Sequence, residues 1–116
     1  MKLETKRVEP DIVVLVMSGH FLMGQDCRQV DQEVERHVAG NKSCFVFDLS
    51  DVNHIDSCAV GQIAKTFTRL KRSGGTLRLA GVRGMVAGVL KMTRLDRVIE
   101  IFPTAAEATQ NFPPPE

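Results

Sequence analysis

The sequence predicts an α/β domain on a mixed sheet of four to five strands with about four helices. Three observations carry this. Short apolar runs alternate with stretches of helical period. The first two runs follow one another with no helix between them, which makes an antiparallel pair in an otherwise parallel sheet. The chain has 116 residues, enough for one core and not two.

Leu3–Val8 and Ile12–Met17 read as strands joined by the turn Glu9-Pro10-Asp11, where Pro presets the dihedral and Asp favours the bend. The second strand is apolar on both faces, as a central strand should be. Ser18–Gly24 is then expected as a loop. Asp26–Val38 is the first helix, with Cys27, Val30, Val34 and Val38 in a narrow apolar stripe and Arg28, Asp31, Glu33, Glu35 and Arg36 on a solvated face. Gly40 is expected to end it in a left-handed conformation. Cys44–Leu49 is the third strand, apolar apart from Asp48. The second helix runs from Ser57 to Arg72, with Val60, Ile63, Ala64, Phe67 and Leu70 as its core stripe. Gly61 in its first turns costs about 1 kcal/mol relative to Ala, which points to close backbone packing against the sheet. Gly74-Gly75 stops this helix, and Thr76–Ala80 is the fourth strand. Arg83–Thr93 is a third helix with Val86, Val89 and Leu90 inward and Met85 a further candidate for that side. Val98–Phe102 is a short edge strand, and Thr104-Ala-Ala-Glu107 is a capping box that starts a small last helix. The single domain is expected over residues 1–112, and residues 113–116 read as a frayed Pro-rich tail.

Composition narrows the function. Net charge is +1, which argues against electrostatic gripping of nucleic acid. Trp and Tyr are absent, so stacking on single strands is poorly served. No apolar run approaches the ~20 residues of a membrane span. The charged start, Met1 to Val8, lacks the apolar segment of a secretion signal. Cys27, Cys44 and Cys58 are odd in number and sit in apolar contexts, which argues for a reducing cytoplasm and against a disulfide framework.

Enzymatic patterns are weak. His54, Asp56, Ser57 and Cys58 supply the residue types of a triad, but near neighbours rarely point at one another across a turn into a helix. No nucleophile elbow surrounds Ser57. The His and Cys residues show neither a Cys-x-x-Cys pair nor helical i, i+4 spacing, so no metal site is expected. No Gly-Lys-Ser/Thr loop is present, and no cofactor is expected. The three cysteines read first as buried small hydrophobes, with a reactive Cys58 at a helix start as the alternative. Asp48, Asp51 and Asp56 cluster within nine residues. Asp51 reads as a turn residue. Asp48 ends a buried strand, where a charge needs a hydrogen-bonded reason to be present. Three loops, Gly19–Gly24, Asp51–Asp56 and Gly81–Gly84, should surround the start of the Ser57 helix. They bring Phe21, Met23, His54, Cys58 and Met85 forward as partner-binding candidates. A core plug suits Phe21 and Leu22 equally well.

Phe47-Asp48-Leu49-Ser50 followed by Ile55-Asp56-Ser57, with Gly74–Gly81 and Val89–Val98, resembles the STAS family, the anti-sigma factor antagonists of bacteria. That family usually carries Asp-Ser-Ser-Gly-Leu-Gly where this chain has Asp56-Ser57-Cys58-Ala59-Val60-Gly61. The resemblance implies helices mainly on one face of the sheet and a regulatory module, not an enzyme. It implies Ser57 as a phosphorylation site, supported by Asp48 and Asp56. It also implies two partners, an anti-sigma factor with serine kinase activity and a serine phosphatase. The alternative is a constitutive STAS subunit of a transporter or signalling complex with no phosphorylation cycle. A hydrolase using Ser57 or Cys58 is a weaker third reading, and a homodimer is left open.

Overall fold

The computed structural model describes residues 1–9, 11–110 and 112. Its elements are β1 (Lys2–Val8), β2 (Ile12–Phe21), α1 (Gln25–Ala39), β3 (Cys44–Ile55), α2 (Ser57–Arg72), β4 (Thr76–Ala80), α3 (Gly84–Met92), a 3-10 turn (Leu95–Arg97), β5 (Ile101–Phe102) and α4 (Ala105–Ala108). The strands lie side by side in chain order. β1 pairs antiparallel with β2, and every later pair is parallel. The expected mixed sheet is therefore present. Pro10, in the expected first turn, and the expected tail 113–116 lie outside the described residues.

Strand alternation sorts the core onto two faces. Val13, Leu15, Met17, Phe45, Phe47, Leu49, Leu77 and Leu79 meet buried residues of α1, α2 and α3. Ile12, Val14, Cys44, Val46 and Ala80 meet Ala108 of α4 and the flanking Phe102 and Phe112. Three helices thus cover one face and a single helical turn covers part of the other. Arg78 lies on that thinner face, 6% exposed. Its guanidinium sits 4.9 Å from the Phe102 ring and 4.2 Å from the Phe112 ring. It donates to the carbonyls of Ala108 (3.1 Å) and Gln110 (2.9 Å).

Several expectations are corrected. β2 and β3 run several residues past their predicted ends, because the parallel ladder between them continues through Ser18–Phe21 and Asp51–Ile55 with shifts of register. Polar side chains there mark solvent on one face, and backbone pairing still fixes a strand. Phe21 is fully buried in β2 and is the plug, not a surface group. The left-handed residue after α1 is Asn41 (φ 68), while Gly40 has φ −88. The fully buried stripe of α2 is Ala59, Gln62, Ile63, Thr66 and Leu70; of the predicted stripe, Ile63 and Leu70 belong to it, and Val60 and Phe67 pack half-buried against the same core. Gln62 and Thr66 tolerate burial because Thr66 Oγ1 donates to Gln62 O (2.8 Å) and Gln62 Nε2 donates to Asp31 on α1 (3.2 Å). Gly61 is exposed, with no atom near where a Cβ would stand, so it does not mark close packing. The close approaches fall at Gly75, whose backbone leaves no room for a Cβ beside Ser43, and at Gly81, which has φ +71 and abuts Ser50. β5 is shorter than expected because Leu95–Arg97 takes a 3-10 turn after Arg94, whose φ is 64. The predicted cap at Thr104 is present, accepting from Glu107 N at 3.2 Å. Among the described residues no helix is long and apolar enough to cross a membrane.

Candidate functional site

The parallel strands β2, β3 and β4 end at one edge of the sheet, and α1, α2 and α3 begin there. This edge of such a sheet is where ligand and partner sites collect, because helix N-termini bring unpaired N–H groups and positive partial charge together. β3 runs straight into α2 through Asp56 alone. The expected loop between them does not form.

Asp56 has extended backbone and is the N-cap of α2. Its Oδ1 accepts from Ala59 N at 2.9 Å, and its Oδ2 accepts from Met23 N at 2.8 Å. One carboxylate therefore caps α2 and fastens the turn that leads into α1. Partial desolvation pushes the Asp56 carboxyl up. Backbone N–H donors, from Ala59 first and then Met23, Cys58 and its own residue, outweigh that and hold it below the usual value. The cap that a hydroxyl at a helix start often supplies is provided here by Asp56 and not by Ser57. Ser57 is the first helical residue, exposed, and its hydroxyl makes no hydrogen bond among the described residues.

Met23, His54 and Cys58 neighbour Ser57 along the chain or through Asp56, whereas Met85 stands further back along β3, beside Asp51. Met23 is 67% exposed above the Asp56 bond. His54, on the solvent side of β3, stands with its ring centroid 5.7 Å from that of His20, its register partner on β2. Cys58 is exposed in the first turn of α2. Cys27, near the start of α1, is buried, and burial first and Cys58 second push its thiol up to about 12. Met85 is 42% exposed and lines an open pocket of about 350 Å³ with Ser50, Asp51, Val52, Asn53, Arg83 and Gly84. Arg83 closes one wall by donating to Ser50 O at 2.9 Å.

Asp48 is not brought to Ser57. It lies seven residues before Ile55 on a continuous strand, roughly 20 Å away at strand rise. Its Oδ1 accepts from Ser50 N (3.0 Å) and Ser50 Oγ (2.5 Å). Asp48 therefore shapes the backbone on which Arg83 rests, and its expected support of Ser57 is not direct. Among the described residues, no side-chain base is hydrogen-bonded to the Ser57 hydroxyl. No hydrogen bond joins it to His54, and Asp56 is occupied by backbone donors. The sequence reading missed the His20–His54 pair, which needed the extended β2–β3 register.

The family model for the STAS domain matches residues 5–108. A Thermotoga maritima protein provisionally named an anti-sigma factor antagonist is 39% identical over 62 residues, 53% of this chain and 55% of that protein. The match thus spans about half the length of that curated relative. A crystal structure of a Thermotoga maritima protein with the same provisional name superposes with a TM-score of 0.87 at 27% identity, over 95% of this chain and 93% of that one. The Bacillus cell fate determinant SpoIIAA in its phosphorylated form superposes with a TM-score of 0.75 at 17% identity, over 92% of this chain and 96% of that one, which is a likeness of fold.

Proposed function

This chain belongs to the STAS domain family, and on that premise we propose that it acts as an anti-sigma factor antagonist switched at Ser57. Unphosphorylated, it binds an anti-sigma factor with serine kinase activity and so releases a sigma factor. Phosphorylation of Ser57 dismisses it, and a serine phosphatase resets it. Relatives named as anti-sigma factor antagonists support the class of partner. The observation that carries the switch is the division of labour at the start of α2. Asp56 does the capping, so the exposed Ser57 hydroxyl is not needed by the fold.

A phosphate on Ser57 adds about −1.5 to −2 charges. The helix N-terminus tolerates this, at about 0.3–1 kcal/mol of favourable interaction. A partner seated on Met23, His54, Cys58 and Met85 does not, because the new charge joins Asp56 and Asp51 at that surface. Like charges in an interface cost several kcal/mol, about a hundredfold or more in affinity. The test is the affinity of the cognate anti-sigma factor for wild type, Ser57→Ala and Ser57→Asp. Ser57→Ala should bind as wild type and resist phosphorylation, and Ser57→Asp should stay folded and bind about a hundredfold more weakly. Equal affinity for wild type and Ser57→Asp would overturn the switch and favour the constitutive assembly subunit.

A further inference from the structure

β1 is one edge of the sheet. Its inner side pairs antiparallel with β2 from Lys2↔Ser18 to Val8↔Ile12, and no bulge interrupts that register. Among the described residues no backbone pairs with its outer side. An unpaired edge is a template for another strand, and natural sheets blunt such edges by shortness, bulges, proline or repelling charge. β1 is seven residues long, regular and without proline. Its charges are of both signs, which decides what can lie against it. Leu3 packs on the core and Thr5 donates to Glu33 on α1, so the odd-numbered residues point to the helical face. Lys2, Glu4, Lys6 and Val8 are exposed on the other face.

From this pattern we infer that β1 is the docking edge for a second copy of this chain, pairing antiparallel with itself about a two-fold axis at Thr5. A two-fold axis normal to the sheet sets the two strands antiparallel and keeps each side chain on its own face. In the register centred on Thr5 the whole strand is paired. Thr5 faces Thr5, Glu4 faces Lys6, Leu3 faces Arg7 and Lys2 faces Val8. Opposite charges directly across a strand pair stabilise it, and the symmetry makes the Glu4–Lys6 pair occur twice. The aliphatic stem of Arg7 covers Leu3. Moving the centre to Glu4 sets Glu4 against Glu4 and Lys2 against Lys6, and moving it to Lys6 sets Lys6 against Lys6. Both shifts put like charges across and shorten the pairing. A centre between two residues throws the helices of the two copies onto opposite faces. Charge therefore selects one register. The joined strands run in opposite directions, so the helix starts that carry Ser57 point away from one another and stay open. The inference does not rest on the function proposed above.

The experiment is sedimentation equilibrium on the purified full chain. A seam of one strand pair belongs with small, transient interfaces, so a reversible dimer with a Kd on the order of 10–100 µM is expected. Glu4→Lys and Lys6→Glu each turn both opposite pairs into like ones and should weaken the dimer about tenfold or more. The double variant restores opposite charges with the signs exchanged, and its Kd should return to within about threefold of wild type. A carbodiimide, which joins an amine to a carboxylate with loss of water, is then applied to a mixture of unlabelled and nitrogen-15-labelled chains. A mixed-label peptide joining Glu4 to Lys6 is the expected product. The label separates this link from the Lys2–Glu4 ion pair within one chain, 3.4 Å apart. Wild type that stays monomeric at about 1 mM would overturn the inference. So would a dimer indifferent to both charge reversals, a double variant as weak as the single ones, or mixed-label links that leave out Glu4–Lys6.

Discussion

The start of α2 and the sheet face beneath α4 both use a charged side chain to fasten backbone, yet they leave different things behind. Beneath α4, Arg78 is buried between two aromatic rings and bonds the carbonyls of Ala108 and Gln110. The charge is spent inside and holds the last helix down. At α2, Asp56 bonds Ala59 N and Met23 N at the surface. By taking the cap it frees the next hydroxyl, Ser57, for chemistry with a partner. A charge satisfied within the fold marks structure, and a reactive group left over beside such a charge marks a candidate site.

The largest expected effect breaks the Arg78 side of this contrast. Arg78→Leu removes the donors of two carbonyls and the cation between the rings, and should cost about 2–4 kcal/mol in urea unfolding. Binding of the anti-sigma factor by the folded fraction should be unchanged. If stability also stays unchanged, Arg78 does not anchor α4.

At the other region, Asp56→Ala should cost about 1–2 kcal/mol by loss of the cap, while Asp56→Asn, a good cap without charge, should cost less. Amide exchange should also quicken at Met23 in Asp56→Ala, because that N–H loses its acceptor. An unchanged Met23 amide would separate the two roles given to this carboxylate.

Acid should act most strongly away from both regions. Glu33 on α1 is held at about 2, by Arg36 first and with help from Thr5, against the desolvation that raises it. Its folded value is below its unfolded one, so its contribution is present above about pH 4.5 and is lost as pH falls towards 2. Glu33→Gln should flatten this part of the stability–pH curve. Asp56 has the same sign, and Asp56→Asn should remove a smaller part of the acid loss.

The smallest effect tests the exposed surface of the site helix. Gly61→Ala meets no atom and should stabilise α2 by about 0.5–1 kcal/mol in thermal unfolding. A loss of stability there would revive the close-packing role that the sequence suggested.

How legible each region was follows from where its partners lie in the chain. The start of α2 at Ser57 and the strand Thr76–Ala80 were readable, because period and turn signals are local. The thinner face was not. Arg78 looks like an outward residue in Thr76-Leu-Arg-Leu-Ala80, and its partners stand more than twenty residues downstream. Phe21 was ambiguous because polar Ser18 and His20 disguise a strand that only pairing with β3 reveals. Asp48 sits in a family-like motif, but the unbroken length of β3, which places it far from Ser57, has no sequence signature. Asp56 was legible as part of the site, and its second bond, to Met23, was not.

The most direct test of the claim that Ser57 is the hydroxyl left free for a switch is phosphosite mapping by mass spectrometry on the full chain incubated with its cognate kinase and ATP. A single phosphate on Ser57, absent from Ser57→Ala and present in a protein whose unfolding curve is unshifted, is the expected result. A phosphate on Ser50 or Thr66 in place of Ser57 would contradict it.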